Sequence, residues 1–403
     1  MTSAGVQASR PGGVLYDPLD PETQRNPFPV YRRLRDEDPV HRVASRNFWV
    51  LSRFEDVYAA ARDTQAFSSA RGLTFEEDEI AKLGLAPTIV MMDPPRQTAL
   101  RRLVSRGFTP RRVAGLEAPI RAFVVERVER MRAAGRADFI RELAGPLPTL
   151  VVAHFLGVPE EDRPRFDAWS NAIVQANAAG RVLTNVADAV ADLYRYFGGL
   201  IEARRAQRRD DMISALLDSE LDGERLSDAE ILGFCFVMIA GGNDTTTGLL
   251  GGAAALLTEC RDQRRLLVEC PERIPHAVEE FLRLTSPVQG LSRTTTREVT
   301  LRGRTIPADA KVHLLYAAAN RDPREFGPTA EALDVGRRIH RHLAFGSGPH
   351  FCMGAAVARL QSRVALEELL GRLPEFAVDE AAGRYAPGPF VRRFESLPIE
   401  ARA

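Results

Sequence analysis

A mainly α-helical protein with small β-sheets is the fold class this sequence predicts, and three observations predict it. Apolar residues recur at helical spacing through most of the stretch from 117 to 284 and again near the end of the chain. Strand-like runs are short and scattered. No low-complexity linker and no internal repeat divides the 403 residues, although that length alone suggests two or three domains. The expectation is a disordered terminus over residues 1–14 and a single large α-rich domain over 15–403.

Pro27 to Asp38 reads as a short helix stopped before Pro39. Val40–Val43 and Phe48–Leu51 alternate enough for a hairpin, and Phe54 to Arg62 is a short helix. Residues 68–92 are poorly periodic and predict a mobile loop. Asp93-Pro94-Pro95 then opens a basic helix, RQTALRRLVSRGF, with Asp93 as its cap. The pattern from 117 to 220 is helical, broken near Gly145–Pro148, Gly157–Pro159 and Gly180. Residues 227–260 form a long apolar helix that starts with a capping box, Ser227-Asp-Ala-Glu230. Its length and apolarity also suit a membrane span. Asp244 near its midpoint would be penalised by lipid, so a buried core helix is expected. Pro275 to Leu284 is another helix, short strands follow to about 316, and 320–350 is irregular. Gly354 to Leu373 is a last strong helix, followed by turns and short strands.

Composition narrows the function classes. The 54 basic and 54 acidic residues cancel, which speaks against nucleic-acid binding. There are two lysines, Lys82 and Lys311, so arginine supplies nearly all the positive charge. Four cysteines, none in a close pair, make a disulfide scaffold or structural zinc site improbable. The first residues carry no apolar run, so neither a secretory signal nor a membrane anchor is expected, and the location expected is cytoplasmic.

Three motifs carry chemistry. FGSGPHFCMG, residues 345–354, places Phe345, Gly348, Cys352 and Gly354 in the pattern Phe-x-x-Gly-x-x-x-Cys-x-Gly. Its glycines permit tight turning around a bulky planar group. The helix that follows puts its positive end and free N–H groups beside the sulfur, favouring a thiolate. A single cysteine is more often a small core residue, which is the reading for Cys235, Cys260 and Cys270. Glu280 and Arg283 lie on one helix face, about 70 residues before Cys352; with Arg337 as third partner they would form a buried charge cluster under the cysteine loop. Gly241-Gly242-Asn243-Asp244-Thr245 interrupts the long helix with two glycines, each costing about 1 kcal/mol relative to alanine. Either they notch the helix for packing, or they open it so that a ligand can lie against its backbone beside Asp244 and Thr245.

Together these residues resemble the cytochrome P450 superfamily over nearly the whole chain. The resemblance implies the cytochrome P450 fold and a haem-thiolate monooxygenase with haem b as cofactor. It implies Cys352 as proximal ligand and metal-binding residue, with Asp244 and Thr245 as the acid–alcohol pair that delivers protons for dioxygen cleavage. Gly241 and Gly242 would flank the dioxygen site, and Phe345 and Gly354 would belong to the haem-binding loop. Arg101, Arg293 and His350 fall where the family holds the haem carboxylates. The family often has histidine where this chain has Gln97, which retains a hydrogen bond but no charge. The segment Ala318–Pro323 also matches the family.

The implied partners are dioxygen, a hydrophobic small molecule and a separate ferredoxin with its reductase, the protein itself being a monomer. No Gly-x-Gly-x-x-Gly motif or fused flavin or iron–sulfur domain is evident. The basic cluster Arg101, Arg102, Arg106, Arg111 and Arg112 would meet the ferredoxin, unless it is only a solvated helix face. Substrate walls are expected from 68–92, 165–185, Phe236–Ala240, Val288–Leu291 and Pro389–Val391, with Arg71, Arg181 or Arg392 available to anchor a carboxylate unless they are simply unpaired surface arginines. Oxidative coupling and peroxide-driven chemistry are alternatives, the latter disfavoured by the retained Asp244–Thr245 pair. An inactive recruitment module is the alternative outside enzymes, disfavoured by Cys352.

Overall fold

The computed structural model describes residues 13–75, 88–166, 168–169, 172, 187–221 and 223–401. The elements that matter for the site are, in order, α1 (Phe28–Glu37), β1 (Val40–Val43), β2 (Phe48–Leu51), α2 (Phe54–Arg62), β3 (Phe67–Ser68), α3 (Arg96–Ser105) and α4 (Glu117–Ala134). There follow β4 (Arg136–Asp138), α5 (Pro146–Leu156), α6 (Ala187–Ala206), α7 (Asp228–Glu259) and α8 (Ile274–Thr285). The last are β5 (Leu291–Thr295), β6 (Lys311–Leu314), α9 (Ala355–Arg372), β7 (Phe376–Val378) and β8 (Pro398–Ala401). Helices dominate and the sheets are small, as the sequence predicts.

Helix α7 is the axis of the helical part. The Ser227 side chain accepts from Glu230 N and the Glu230 carboxylate accepts from Ser227 N, closing the expected capping box. The helix packs against α5, α8 and α9, so its apolar residues are covered by protein on most sides. No helix among the described residues is long and apolar enough to cross a membrane. The glycines of α7 are mostly contact points. A Cβ on Gly242 would sit 2.9 Å from Val152 Cγ2 of α5. One on Gly248 would sit 2.7 Å from the Arg392 carbonyl oxygen. The helix stays continuous through Gly241 and Gly242; no local opening is present.

A five-stranded sheet lies beside the helices in the order β1-β2-β6-β5-β3, with β6 parallel to β2 and the other pairs antiparallel. Strands β2 and β6 are buried along their whole length, as interior strands covered on both faces must be. The sheet matters because β5 carries Arg293 and the chain leaving β3 carries Ser69. A three-stranded sheet, β7-β8-β4, ties the tail back to the middle of the chain.

Several expectations are corrected. Strand β4 lies within a stretch read as helical; three residues paired by a distant tail leave no local periodicity. Asp93 does not cap α3: its carboxylate accepts from Ser68 Oγ and Ser69 N, and the helix begins after Pro95 with no side-chain cap. The segment 68–92 is anchored where it is described. Leu73 O accepts from Ser292 N at 2.6 Å, and Phe75 is buried, stacked on Phe48 at 4.7 Å between centroids; the remainder, 76–87, lies outside the described residues. Val14, expected in an unstructured terminus, is buried in a cluster with Tyr16 and Tyr31, while residues 1–12 lie outside the description.

Candidate functional site

The cysteine loop is shaped by two left-handed glycines. Gly346 and Gly348 have φ of 68° and 69°, where a side chain is disfavoured. A Cβ on Gly348 would also meet the Ala61 carbonyl oxygen at 2.9 Å, so this residue lets the loop lie on the end of α2. Cys352 N donates to Phe345 O at 2.9 Å, closing the loop. Gly354 has φ −81° and precedes α9. A Cβ there would meet only Cys352 Sγ, at 3.9 Å, so its conformational freedom is not what the fold uses.

Cys352 is exposed to solvent yet closely surrounded by protein. Burial pushes its thiol up; the Gly354 N–H, Arg101 and Arg359 pull it down without prevailing. The expectation that the helix end favours a thiolate is therefore corrected in its balance. A bound metal cation, which deprotonates a coordinating thiol outright, is what would hold this sulfur as thiolate.

Cations converge around the cysteine loop. Arg293 is 2% exposed, and its Nη1 donates to the Ser292 carbonyl. Arg101 is half-buried and close enough to Cys352 to feel its charge. Among the described residues neither has a carboxylate partner. His350 is held down to about 4, first by burial and then by Arg293 and Arg101, with Asp93 opposing; its Nε2 hydrogen-bonds Ser69 Oγ at 3.1 Å. Two arginines without carboxylate partners, one acting on the cysteine sulfur and both on His350 of its loop, form a place for a ligand with its own carboxylates, since buried charge calls for a partner. The donor set thus fits haem. Gln97 departs from its expected place: it is buried and its Nε2 donates to Pro349 O at 2.8 Å, so it ties α3 to the cysteine loop.

Helix α7 contributes an open stripe. Gly233, Val237, Gly241 and Thr245, each four residues apart, are partly or fully exposed, whereas Leu249 is 2% exposed. A Cβ on Gly241 would meet nothing within 4 Å. The two glycines therefore do different things: Gly242 notches the helix for Val152, and Gly241 alone faces open space. Thr245 Oγ1 donates to Gly241 O at 3.0 Å. Asp244 is buried, and burial raises its carboxyl to about 6 against the pull of Arg393, whose Nε lies 2.5 Å from Asp244 Oδ1.

Glu280, Arg283 and Arg337 come together beneath the loop. Arg283 donates through Nε and Nη2 to the two Glu280 oxygens, each at 2.7 Å, and through Nη1 to the carbonyls of Asn320 and Ala330. Arg337 Nε reaches Glu280 Oε1 at 3.1 Å. Asn320 Oδ1 accepts from Leu343 N at 2.7 Å, which carries the support on to the cysteine loop.

Sequence reasoning missed Arg393 and also Arg359, whose guanidinium lies 4.7 Å from the Phe345 ring centre while pairing with Glu279. Both pairings are long-range, and no local pattern announces them. Some readings are corrected. Arg71 pairs with Asp309, and Arg392 lies over the Tyr385 ring and donates to Arg25 O, so neither is held in reserve for a substrate carboxylate. Arg181 lies outside the described residues. In the basic cluster Arg112 pairs with Asp210, leaving Arg102, Arg106 and Arg111 exposed.

Comparison with known proteins gives a consistent result. A family model described as Cytochrome P450 matches residues 274–380. "Cytochrome P450 130" of Mycobacterium tuberculosis is 54% identical over 387 residues, covering 94% of this chain and 96% of that protein. "Vitamin D(3) 25-hydroxylase" of Pseudonocardia autotrophica is 40% identical, covering 93% and 94%. The crystal structure of CYP109E1 from Bacillus megaterium in complex with testosterone superposes with a TM-score of 0.84 at 31% identity, covering 94% of this chain and 100% of that one.

Proposed function

Because the chain belongs to the cytochrome P450 family and is a haem-dependent monooxygenase of it, we propose that the Cys352 sulfur would hold the iron of a haem b and that the enzyme hydroxylates a hydrophobic small molecule. One atom of dioxygen enters a C–H bond of the substrate, and electrons come from a separate ferredoxin and its reductase. The observation that carries this reading is the solvent-reachable Cys352 sulfur with Arg101 acting on it and the buried Arg293 acting on His350 two residues away, neither arginine having a carboxylate partner among the described residues.

Bound haem supplies the oxygen-activating, one-electron chemistry. The chain's own residues do the rest. Arg101, Arg293 and His350 would hold the haem carboxylates. Gln97, Phe345 and Gly354 shape the cysteine loop, and the Glu280–Arg283–Arg337 cluster supports it from below. Gly241 leaves room for dioxygen beside α7, and Gly242 keeps that helix seated on α5. Asp244, with a carboxyl near 6, both takes and gives a proton near neutral pH, and the Thr245 hydroxyl passes it on.

Partly exposed Phe236, Ala240, Val288, Leu291 and Val391 favour an apolar substrate, in keeping with the vitamin D(3) and testosterone named for relatives. Exposed Arg102, Arg106 and Arg111 favour an acidic electron donor. Relatives that match nearly the whole chain support one domain over 15–403; a cytoplasmic, monomeric enzyme is part of the same proposal.

The reduced carbon monoxide difference spectrum tests the ligand. Wild type is expected to give a strongly red-shifted, thiolate-type Soret band, and Cys352→Ala to lose it. A histidine-type spectrum in wild type overturns the assignment.

A further inference from the structure

We propose that Arg393 is a positioning residue for Asp244, holding its carboxylate in a buried ion pair with the tail and so setting how readily this acid carries a proton. The inference rests on the reading of Asp244 as the proton-delivering acid.

The geometry is specific. Arg393 and Asp244 are 7% and 5% exposed, with Arg393 Nε 2.5 Å from Asp244 Oδ1. A pair this buried is governed by its partner: remove one member and the other is left as an uncompensated charge. Nothing else charged among the described residues acts on Asp244, whether from α7, α5 or the tail. The rest of the Arg393 guanidinium has little to hold, its Nη1 reaching only the Phe394 carbonyl at 3.4 Å. The side chain is thus committed to the acid.

The backbone around Arg393 is built to deliver it. Arg392 N donates to Pro287 O and Gln289 N to Phe390 O, both at 2.8 Å, and Val391 bridges Val288. Ala386 N donates to Arg393 O at 2.9 Å. One turn along α7 from Asp244, Gly248 lets this strand lie on the helix; a Cβ there would be 2.7 Å from Arg392 O and 3.4 Å from Arg393 Cβ. The stretch that fixes Arg393 is laced to Val288, a residue proposed to wall the substrate site. Contact between substrate and that wall therefore bears on the residue that holds the acid.

Infrared difference titration of the haem-loaded enzyme without substrate tests the proposal, with the Asp244 carboxylic C=O band identified by its absence in Asp244→Asn. Arg393→Gln is expected to raise the titration midpoint by about 1–3 units, the usual influence of an adjacent opposite charge. Arg393→Lys is expected to fall between wild type and Arg393→Gln. A role confined to stability would lower the melting temperature and leave the midpoint in place, and that result overturns the proposal. If Arg393→Gln yields no haem-loaded protein, Arg393→Lys decides in the same way, an unmoved midpoint counting against.

The pH profile of oxygen consumption with a surrogate plant-type ferredoxin and its reductase separates the two readings. Asp244→Asn is expected to abolish the limb that follows the carboxyl, and Arg393→Gln to move it. If Asp244→Asn leaves the limb intact, the acid reading falls and this proposal with it. If Asp244→Asn abolishes the limb while Arg393→Gln leaves limb and midpoint unmoved, Arg393 alone falls.

Discussion

Arg293 is a nearly fully buried cation whose Nη1 donates to the Ser292 backbone carbonyl. Its stabilisation has to come from the ligand, and charge-assisted hydrogen bonds contribute about 1.5–3 kcal/mol. Arg293→Ala should therefore lose haem to an acceptor such as apomyoglobin roughly 10–100-fold faster than wild type; equal rates would mean the haem carboxylates lie elsewhere. Residues of this kind differ in how visible they are in the sequence. Cys352 was legible because its requirements are local: two glycine-permitted turns, a closing hydrogen bond to Phe345 and a helix start fall within ten residues. Asp244 and Thr245 were legible as a pair, but the partner of Asp244 was not. Arg393 stands beside a second arginine in an ordinary tail sequence, and only the folded chain shows which of the two turns inward.

Helix α7 makes a sharp comparison possible between glycines that look alike in sequence. Gly248 touches backbone, so Gly248→Ala must displace the tail strand; overpacking of this kind costs about 1–3 kcal/mol. Gly241 faces open space, and Gly241→Ala should leave the unfolding free energy of the haem-free protein within about 1 kcal/mol of wild type, helped by alanine's helix propensity, while changing ligand binding at the haem. Calorimetry on both variants checks the contrast, and equal destabilisation would contradict it. The charge cluster of α8 behaves differently again. Glu280 is completely buried and takes hydrogen bonds from Arg283, Arg337 and the Asp334 N–H. Glu280→Ala leaves Arg283 stranded, a loss of about 3–5 kcal/mol, to be seen as failure to accumulate folded, haem-loaded protein. Elements with strong periodicity or caps, such as α2, α7 and α9, were read from the sequence to within a residue or two. Strand β4 was not, because its partner β8 arrives more than 250 residues later and three short residues carry no pattern of their own.

At the scale of the whole molecule, pH acts on stability through groups the fold buries. His313 is fully buried among Phe48, Phe75 and Phe390, and burial holds it down to about 3. In the unfolded chain it takes up a proton at its ordinary value, near 6.5. Between those limits the unfolded state binds more protons than the folded one, so stability falls as pH falls, by about 1.4 kcal/mol per pH unit for this one group. Chemical denaturation between pH 6.5 and 4 should show that slope reduced by one proton in His313→Gln; an unchanged slope would assign the acid sensitivity to other groups. The site likewise belongs to the whole chain. Ser69 and Gln97 come from its first quarter, Asp244 and Arg293 from its middle, Cys352 and Arg393 from its last part. A ribosome making this protein vectorially, with early segments folding first, releases a scaffold long before it releases a working site. Until residue 393 has emerged and settled on α7, Asp244 sits in the nascent protein without its counter-charge. Competence of the site therefore waits on the tail: it is reached only once residue 393 has emerged and settled on α7.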